Sequence, residues 1–423
     1  LGGAAIMLIL VLYPYVYLLA RASFLRQSPT AYQAARVLGK SPFQAYFQIS
    51  LPLARPAIAG GVILALMETV ADFGTVAHFS VQTFATGIYQ AWISMGDRSA
   101  ASQLALCLMG VAFVLIVLER IERKGRAHFE AGKRIEAMSR HSLKGMRAFA
   151  AITACTIPVL GGFVIPLIVL GEMAWNSGQN PFSERYIMFV TNSLILASSA
   201  AVLTMVLAVA VGYRARVFPS RSAEISKIVA GLGYAIPGGV IAVGMFVPFA
   251  TFDNALDAYL REHYDVSVGL LLSGSIFMLL LVYAVRFMAA ALSSFDTGMS
   301  QIKRSIDSAA RNLGANQGRV LTRIHLPLMR ASLLTGALIV FVDVMKELPA
   351  TLMLRPFNFD TLAVQAYRLA SDERLAQSAV PSLAIVAFGL LPVIVLCRTI
   401  AMQRPVHHAE FGALPKQYAD TAV

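Results

Sequence analysis

The chain has 423 residues, 57% of them hydrophobic and only 14% charged, with a mean hydropathy of +0.67. Soluble domains carry charge on about a quarter of their residues, so this composition excludes a soluble enzyme or binding module and describes a polytopic membrane protein surrounded by lipid. The net charge of +12 would suit a nucleic-acid partner, but the basic residues lie between apolar runs without any RNP- or finger-like motif. Charge asymmetry across a membrane explains it, and no nucleic-acid partner is expected.

Nine apolar segments reach the ~20 residues that a bilayer core requires. They cover 1–20, 57–77, 100–118, 148–170, 187–212, 228–250, 268–290, 332–352 and 378–400, and predict an all-α polytopic fold. The first begins at Leu1, with no Met and no charged leader ahead of it, and is read as truncated at its N-terminal side. Pro14, Pro158, Pro166 and Pro237 interrupt some spans, which is tolerable where neighbouring helices satisfy the freed backbone groups. The run Gly231 to Gly244 is rich in small residues and is expected to serve close helix contact rather than phosphate binding. Cys107, Cys155 and Cys397 are scattered through apolar segments and read as inert packing residues.

The loops alternate in charge. Residues 21–56 carry Arg21, Arg26, Arg36, Lys40 and Arg55 with no acid, and residues 119–147 hold nine Lys or Arg against four Glu. Arg214, Arg216, Arg221 and Lys227 mark the next basic loop, and 293–331 is basic again. Acidic or mixed loops lie between them, around Asp253, Asp257, Glu262 and Asp265 and around Asp372 and Glu373, with Trp92 and Trp175 near expected interfaces. The basic loops are therefore placed in the cytoplasm.

Gln33 to Pro56, QAARVLGKSPFQAYFQISLPLARP, recurs without a gap 275 positions later as Ser308 to Ala331, SAARNLGANQGRVLTRIHLPLMRA. Ala34, Ala35, Arg36, Leu38, Gly39, Ile49, Leu51, Pro52, Leu53 and Arg55 return as Ala309, Ala310, Arg311, Leu313, Gly314, Ile324, Leu326, Pro327, Leu328 and Arg330. Such a repeat means duplicated architecture. Each copy reads as a short helix ended by a glycine able to take positive φ, then a second helix in which the Leu-Pro pair marks a start or a break. The product is a helix–turn–helix elbow between two spans, its tip in water. If the duplication extends upstream, about 130 residues and three spans of the first half precede Leu1.

The Ala-Ala-x(3)-Gly-x(9)-Ile-x-Leu-Pro spacing resembles the cytoplasmic coupling loop of binding-protein-dependent ABC importer permeases. The resemblance implies a tandem-duplicated transmembrane domain of the type I importer class. Residues Gln33, Ala34, Ala35 and Gly39, and Ser308, Ala309, Ala310 and Gly314, would dock on two separate ATPase subunits. The family's loop opens Glu-Ala-Ala. This chain departs from it with Gln33 and Ser308, so a salt bridge made through that Glu is not carried over. A periplasmic solute-binding protein and a bacterial inner-membrane location are implied as well.

The register continues beyond the elbows: Glu68 and Asp72 align with Asp343 and Glu347. The i, i+4 spacing predicts each pair on one helix face. An ionised carboxylate at mid-membrane costs about 2.5–3.5 kcal/mol on insertion scales, so such groups face a cavity or a partner. They could offer oxygen ligands along a cation path, or pair with bases such as Lys346 and cap the ends of the spans. ETVADFGTVAHF from Glu68 and TFATGIYQAW from Thr83 are similar to ferric-iron importer permeases with two fused membrane halves. Phe359, Thr361, Gln365 and Ala366 echo Phe84, Thr86, Gln90 and Ala91. Thiamine, polyamine and phosphonate importers share the elbow.

Residues 1–118 thus read as the C-terminal part of a first transmembrane domain and 119–147 as a cytoplasmic linker. The second transmembrane domain covers 148–400, and 401–423 form a tail. His128 and His141 in the linker are too far apart for a metal site, and His407 and His408 in the tail offer at most a two-His site. No P-loop is present: Gly39-Lys40 lacks the upstream glycine and Gly132-Lys133 is followed by Arg. The chain is expected to hold no cofactor, with ATP and Mg bound by the partner ATPase. A secondary transporter also has internal repeats and intramembrane acids, but needs no exposed elbow.

Overall fold

The computed structural model describes residues 1–27, 29–127 and 142–403. Among these, nine helical stretches are long and apolar enough to cross a membrane. In chain order the helices are α1 (Gly2–Arg26), α2 (Pro29–Val37), α3 (Pro42–Ala71), α4 (Gly74–His78), α5 (Phe84–Tyr89), α6 (Arg98–Ala127), α7 (Met146–Asn176) and α8 (Glu184–Val217). There follow α9 (Arg221–Ala230), α10 (Gly238–Tyr264), α11 (Ile276–Ser300), α12 (Arg304–Asn312), α13 (Gln317–Met345), α14 (Pro349–Leu354), α15 (Leu362–Ser371) and α16 (Leu375–Gln403).

The 275-residue register is visible in the helices themselves: α1, α3, α4 and α6 correspond to α11, α13, α14 and α16. Even the helix crossings repeat. Gly61 of α3 lies so close to α1 that a Cβ there would stand 2.7 Å from the Val16 Cα. Its counterpart Gly336 of α13 would meet the Ser294 Cβ of α11 at 2.6 Å. Small residues set these contacts because helices in lipid gain by close approach rather than by leaving water.

In the second half α8, α11 and α13 pack around one core, in which Met278, Leu279, Val282 and Tyr283 are fully buried. The halves interlock: α5 and α6 pack against α10, with Ile88 of α5 and Ala105 and Leu108 of α6 meeting Val240 and Val243. Helix α7 lies against both α1 and α16, and Gly162 lets it touch the Leu10 carbonyl.

Three of the spanning stretches contain one π-helical turn immediately before a Leu-Pro or Ile-Pro pair: Tyr46–Ser50, Leu160–Val164 and Leu321–His325. The amide of Leu51, Ile165 or Leu326 closes the wide turn five residues back. Pro52, Pro166 and Pro327 follow, each lacking a donor and crowding the carbonyl four residues earlier, and the widened turn makes room for the ring.

Several boundaries differ from the sequence reading. The span expected at 228–250 is not one helix: residues Gly231–Ala235 form a 3₁₀ turn, Pro237 breaks the chain and α10 runs from 238 to 264. Asp253, Asp257 and Glu262, expected in a loop, therefore lie within α10. Asp253 is buried and accepts from the amides of Leu272 and Ser273, which ties down the connection to α11. Trp92, expected in a loop, sits in a π turn (Gln90–Ser94) after α5, edge-on to Phe246. Trp175 ends α7 and is 90% exposed. Cys107 and Cys155, expected to pack inside, are exposed on the outer surfaces of their helices, and the Cys397 side chain lies outside the described residues. The small-residue run serves close contact at Gly233, whose Cβ would fall 2.0 Å from the Val285 carbonyl of α11.

The linker read at 119–147 begins as a continuation of α6 to Ala127, while 128–141, with His128 and His141, lie outside the described residues. Of the tail, α16 includes residues to Gln403, and the remainder with His407 and His408 lies outside them too.

Candidate functional site: two elbows and an interhelical cavity

Each elbow is built by the same local chemistry. Helix α2 ends with Leu38, Gly39 and Lys40 donating to the carbonyls of Ala34, Arg36 and Ala35 at 3.0–3.1 Å. Helix α12 ends with Leu313, Gly314 and Ala315 donating to Ala309, Arg311 and Ala310 at 2.9–3.1 Å. Both glycines hold left-handed φ, +82° and +80°, which closes a Schellman-type end that a Cβ would strain. The next helix starts on a side-chain cap in the same register. Ser41 Oγ accepts from the Gln44 amide at 3.2 Å in a full capping box, and Asn316 Oδ1 accepts from the Arg319 amide at 2.8 Å.

Exposure repeats as well. Ala35 and Ala310 are buried against the body of the protein, whereas Gln33, Ala34, Ser308 and Ala309 face outward. At the tips Leu38 is 80% and Leu313 88% exposed. Two leucines presented to water at the same point of a duplicated, rigid elbow are an unpartnered apolar surface.

The second elbow is further clasped to α8. Arg216 donates to Asp307 Oδ2 at 3.1 Å and to the Ile302 carbonyl at 3.1 Å. The buried ring of His325 reaches Asp307 Oδ1 at 2.7 Å. Burial pushes the Asp307 carboxyl upward, but the hydrogen bonds and charges of His325 and Arg216 outweigh it and hold the group below its ordinary value.

The four acids aligned by the repeat line one cavity of about 470 Å³ between the halves, together with Tyr15, Tyr234, Arg286 and Lys346. Three interruptions of helical backbone converge on it: the end of α3 at 71–73, the end of α13 at 346–348 and the 3₁₀ turn carrying Tyr234. Arg286 sits near the middle of α11, ten residues from its start at Ile276, which puts the cavity at mid-depth in the membrane. Irregular backbone is tolerated at that depth where it lines a polar cavity.

The carboxylates do not pair on one helix face as the i, i+4 spacing predicts. Helices α3 and α13 end before Asp72 and Glu347, and both residues turn to cap the short helix that follows. Asp72 accepts from the Val76 amide at 3.0 Å and the Thr75 hydroxyl at 3.1 Å. Glu347 accepts from the amides of Ala350 and Thr351 at 3.2 and 3.3 Å and from Arg286 at 2.8 Å. Lys346 pairs not with its neighbour Glu347 but with Asp343, at 3.0 Å. Among the described residues Glu68 accepts only from the Tyr234 hydroxyl, at 3.0 Å, and it remains open to the cavity. Among the described residues no three His, Cys, Asp or Glu side chains converge to hold a metal.

Sequence reasoning missed Arg286, Tyr15, Tyr234 and the Arg216–Asp307–His325 clasp. Arg286 carried a usable signal, as the lone base in an apolar span. The tyrosines did not, because their partners lie far away in sequence.

A duplicated elbow below and a polar, charged cavity at mid-depth between two interlocked helical halves define a membrane translocation subunit. The sequence profile of the family described as binding-protein-dependent transport system inner membrane component matches residues 1–123 and 204–402, and the chain belongs to that family. An Fe(3+)-transport system permease protein of Haemophilus influenzae is 25% identical over 394 residues, covering 91% of this chain and 74% of that protein. A putative ferric transport system permease of the same organism is 24% identical, covering 84% of this chain and 56% of its own length. The ferric transport system permease of Actinobacillus pleuropneumoniae is 22% identical, covering 87% and 54%. This chain thus spans little more than half the length of the latter two. Among solved structures, a bacterial ABC transporter involved in alginate import aligns with 61% of this chain and 96% of its own, at a TM-score of 0.47 and 17% identity.

Proposed function

We propose that the chain is the translocation subunit of an ATP-driven importer that moves ferric iron across the bacterial inner membrane. The observation that supports this cargo is that three relatives aligned along most of the chain are ferric permeases; a probable ABC transporter permease of Sinorhizobium fredii, whose name states no cargo, aligns along 90%. The ferric permeases align along 84–91% of the chain. A putative molybdenum permease of Bacillus subtilis and a putative 2-aminoethylphosphonate permease of Salmonella typhimurium align along only 27% and 28%. The cavity's chemistry suits a hard cation: four carboxylates and two phenols against two bases supply oxygen ligands. Their dispersal along the walls favours transient contact over retention.

In this reading the chain holds no nucleotide. Two ATPase subunits bind ATP and Mg, and each grips one elbow by its exposed leucine and small-residue face, at Gln33, Ala34 and Gly39 or at Ser308, Ala309 and Gly314, while Ala35 and Ala310, named with them from the sequence, are buried and brace the elbow from inside. Closure of the ATPase pair draws the elbows together and rocks the halves, 1–118 and 148–400, about the cavity. A periplasmic solute-binding protein delivers the ion to the outer mouth, and Glu68, Asp72, Asp343 and Glu347 line its way.

The test is reconstitution of the permease with its neighbouring ATPase and binding protein. ATPase stimulation by Fe³⁺-loaded binding protein, without stimulation by thiamine, spermidine or a phosphonate, is the expected result. Stimulation by an organic solute would retain the permease class and overturn the cargo. Transport with no ATPase present would place the chain among secondary transporters.

A further inference from the structure

The repeat distributes acids evenly between the two sides of the cavity, but not bases. Glu68 and Asp72 of the first half stand at the positions of Asp343 and Glu347 of the second. The bases Arg286 and Lys346 both come from the second half. Their counterparts 275 residues earlier are Val11 and Ala71, which line the same cavity and carry no charge. Each second-half carboxylate therefore has a base from its own half. Neither first-half carboxylate has an ion pair among the described residues.

The two bases are held differently. The side chains of Arg286 and Glu347 are 16% and 2% exposed, and the amides of Ala350 and Thr351 close the rest of that carboxylate. That pair belongs to the framework. Lys346, at the end of α13, is 58% exposed in its side chain and touches one oxygen of Asp343 at 3.0 Å. Asp343 has no other hydrogen bond or ion pair among the described residues. Lys346 also interacts electrostatically with Glu68 on the other half. One ammonium on a long flexible stem thus answers both carboxylates that the duplication makes equivalent.

An ammonium group is a compact, strongly hydrated point charge, the closest that a side chain comes to a small metal cation. At mid-depth in the membrane an ionised carboxylate needs a positive partner whether or not cargo is present. A framework base would satisfy Asp343 and Glu68 for good and shut a cation out. Bare carboxylates in a site of low dielectric would hold a multivalent cation too firmly to release it. A base that can swing aside avoids both outcomes.

We propose that Lys346 is a tethered stand-in for the transported cation: its ammonium occupies the place between Asp343 and Glu68 in the empty cavity, yields it to an arriving cation and competes with that cation for release. Lys346 is then a positioning residue that sets how weakly the path holds what it carries. The inference rests on the reading of this cavity as a cation path, but not on which cation passes.

The experiment titrates Tb³⁺, a hard trivalent probe whose emission is excited through nearby tyrosines such as Tyr15 and Tyr234, into the nucleotide-free permease–ATPase complex in phosphatidylcholine nanodiscs. Lys346→Met is expected to bind Tb³⁺ at least ~10-fold more tightly than wild type, and Lys346→Arg, which keeps the charge, to stay within ~3-fold of it. Adding Glu68→Gln to Lys346→Met should abolish the gain. Should Lys346→Met not assemble, Ala71→Lys supplies the second reading. A base at the repeat-equivalent position gives Glu68 a partner of its own and should weaken Tb³⁺ binding ~10-fold relative to wild type. Equal affinity in wild type and Lys346→Met, as for a lysine that only braces the end of α13, overturns the proposal, as does unchanged affinity in Ala71→Lys. So does an equal gain in Lys346→Arg, or a gain that survives Glu68→Gln and marks an adventitious ion only. Failure of the cargo reading looks different: wild-type ATPase would ignore Fe³⁺-loaded binding protein, while the Tb³⁺ gain in Lys346→Met, and the support it gives, would stand.

Discussion

Asp72 and Glu347, 275 residues apart, do the same work: each accepts the amide of the residue four positions on, Val76 at 3.0 Å and Thr351 at 3.3 Å. Each thereby starts the short helix that follows the break in its span. Only Glu347 also binds a base, Arg286, so the two copies differ in how tightly the break is held.

That difference predicts a stability contrast. Glu347→Ala leaves Arg286 buried without its partner, and removing one member of a buried pair costs about 3–5 kcal/mol. Asp72→Ala loses a cap alone, about 1 kcal/mol. Thermal unfolding in detergent should rank them in that order. Equal shifts in Tm would show that Arg286 finds another acceptor.

Gly39→Val and Gly314→Val each force a β-branched residue into left-handed φ, at about 1–2 kcal/mol of backbone strain or more. The elbow tip should distort while the spans, closed by their own hydrogen bonds, still insert. Substrate-stimulated ATPase activity is expected to fall at least ~10-fold at normal expression. Full transport by both variants would remove the elbows from the coupling mechanism.

Glu68 is the cavity carboxylate least occupied by structural bonds, so Glu68→Gln should lower transport more than it lowers Tm. Tyr234→Phe frees Glu68 from its hydrogen bond and should change transport in smaller measure. A transport assay in proteoliposomes, paired with melting curves, separates the two effects. Loss of both together would make Glu68 a structural residue.

The second elbow should have its own acid limit. Asp307 is held below the ordinary carboxyl value of 3.8 against the upward push of burial, by bonds and charge from His325 and Arg216. A carboxyl depressed by folding stabilises the protein above its unfolded pKa and loses that contribution as pH falls through the folded one. Melting curves of wild type and Asp307→Asn should therefore differ at pH 6, begin to approach one another as the pH falls past about 3.8, and meet only below the lower, folded value. A constant gap throughout would mean that the carboxylate's charge does not contribute.

Much of this was legible in the sequence, for a physical reason. Spans announce themselves by length and apolarity, and the elbows by a repeat whose Gly, Pro and cap positions are each demanded by backbone geometry. Asp72 and Glu347 were placed correctly in the register but assigned to the wrong local structure. Helical spacing says which face a residue takes only while the helix continues, and both helices stop one or two residues earlier. The 3₁₀ turn at Gly231–Ala235 was hidden for the opposite reason, since its residues are as apolar as the span they interrupt. Tyr234 and Arg286 find their partners 166 and 61 residues away, a relation that no local pattern encodes.

The π turn ahead of each Leu-Pro pair has a consequence for how such a protein can change over time. One surplus residue in a turn rotates everything beyond it by about 100° about the helix axis. Deleting a residue from Tyr46–Ser50 or Leu321–His325 would leave the elbow whole and the span as apolar as before. It would, however, swing Glu68 or Asp343 away from the cavity and toward lipid. The turn acts as a phase adjuster between the elbow end of the helix and the cavity end. The two can drift independently in sequence as long as that one count is kept.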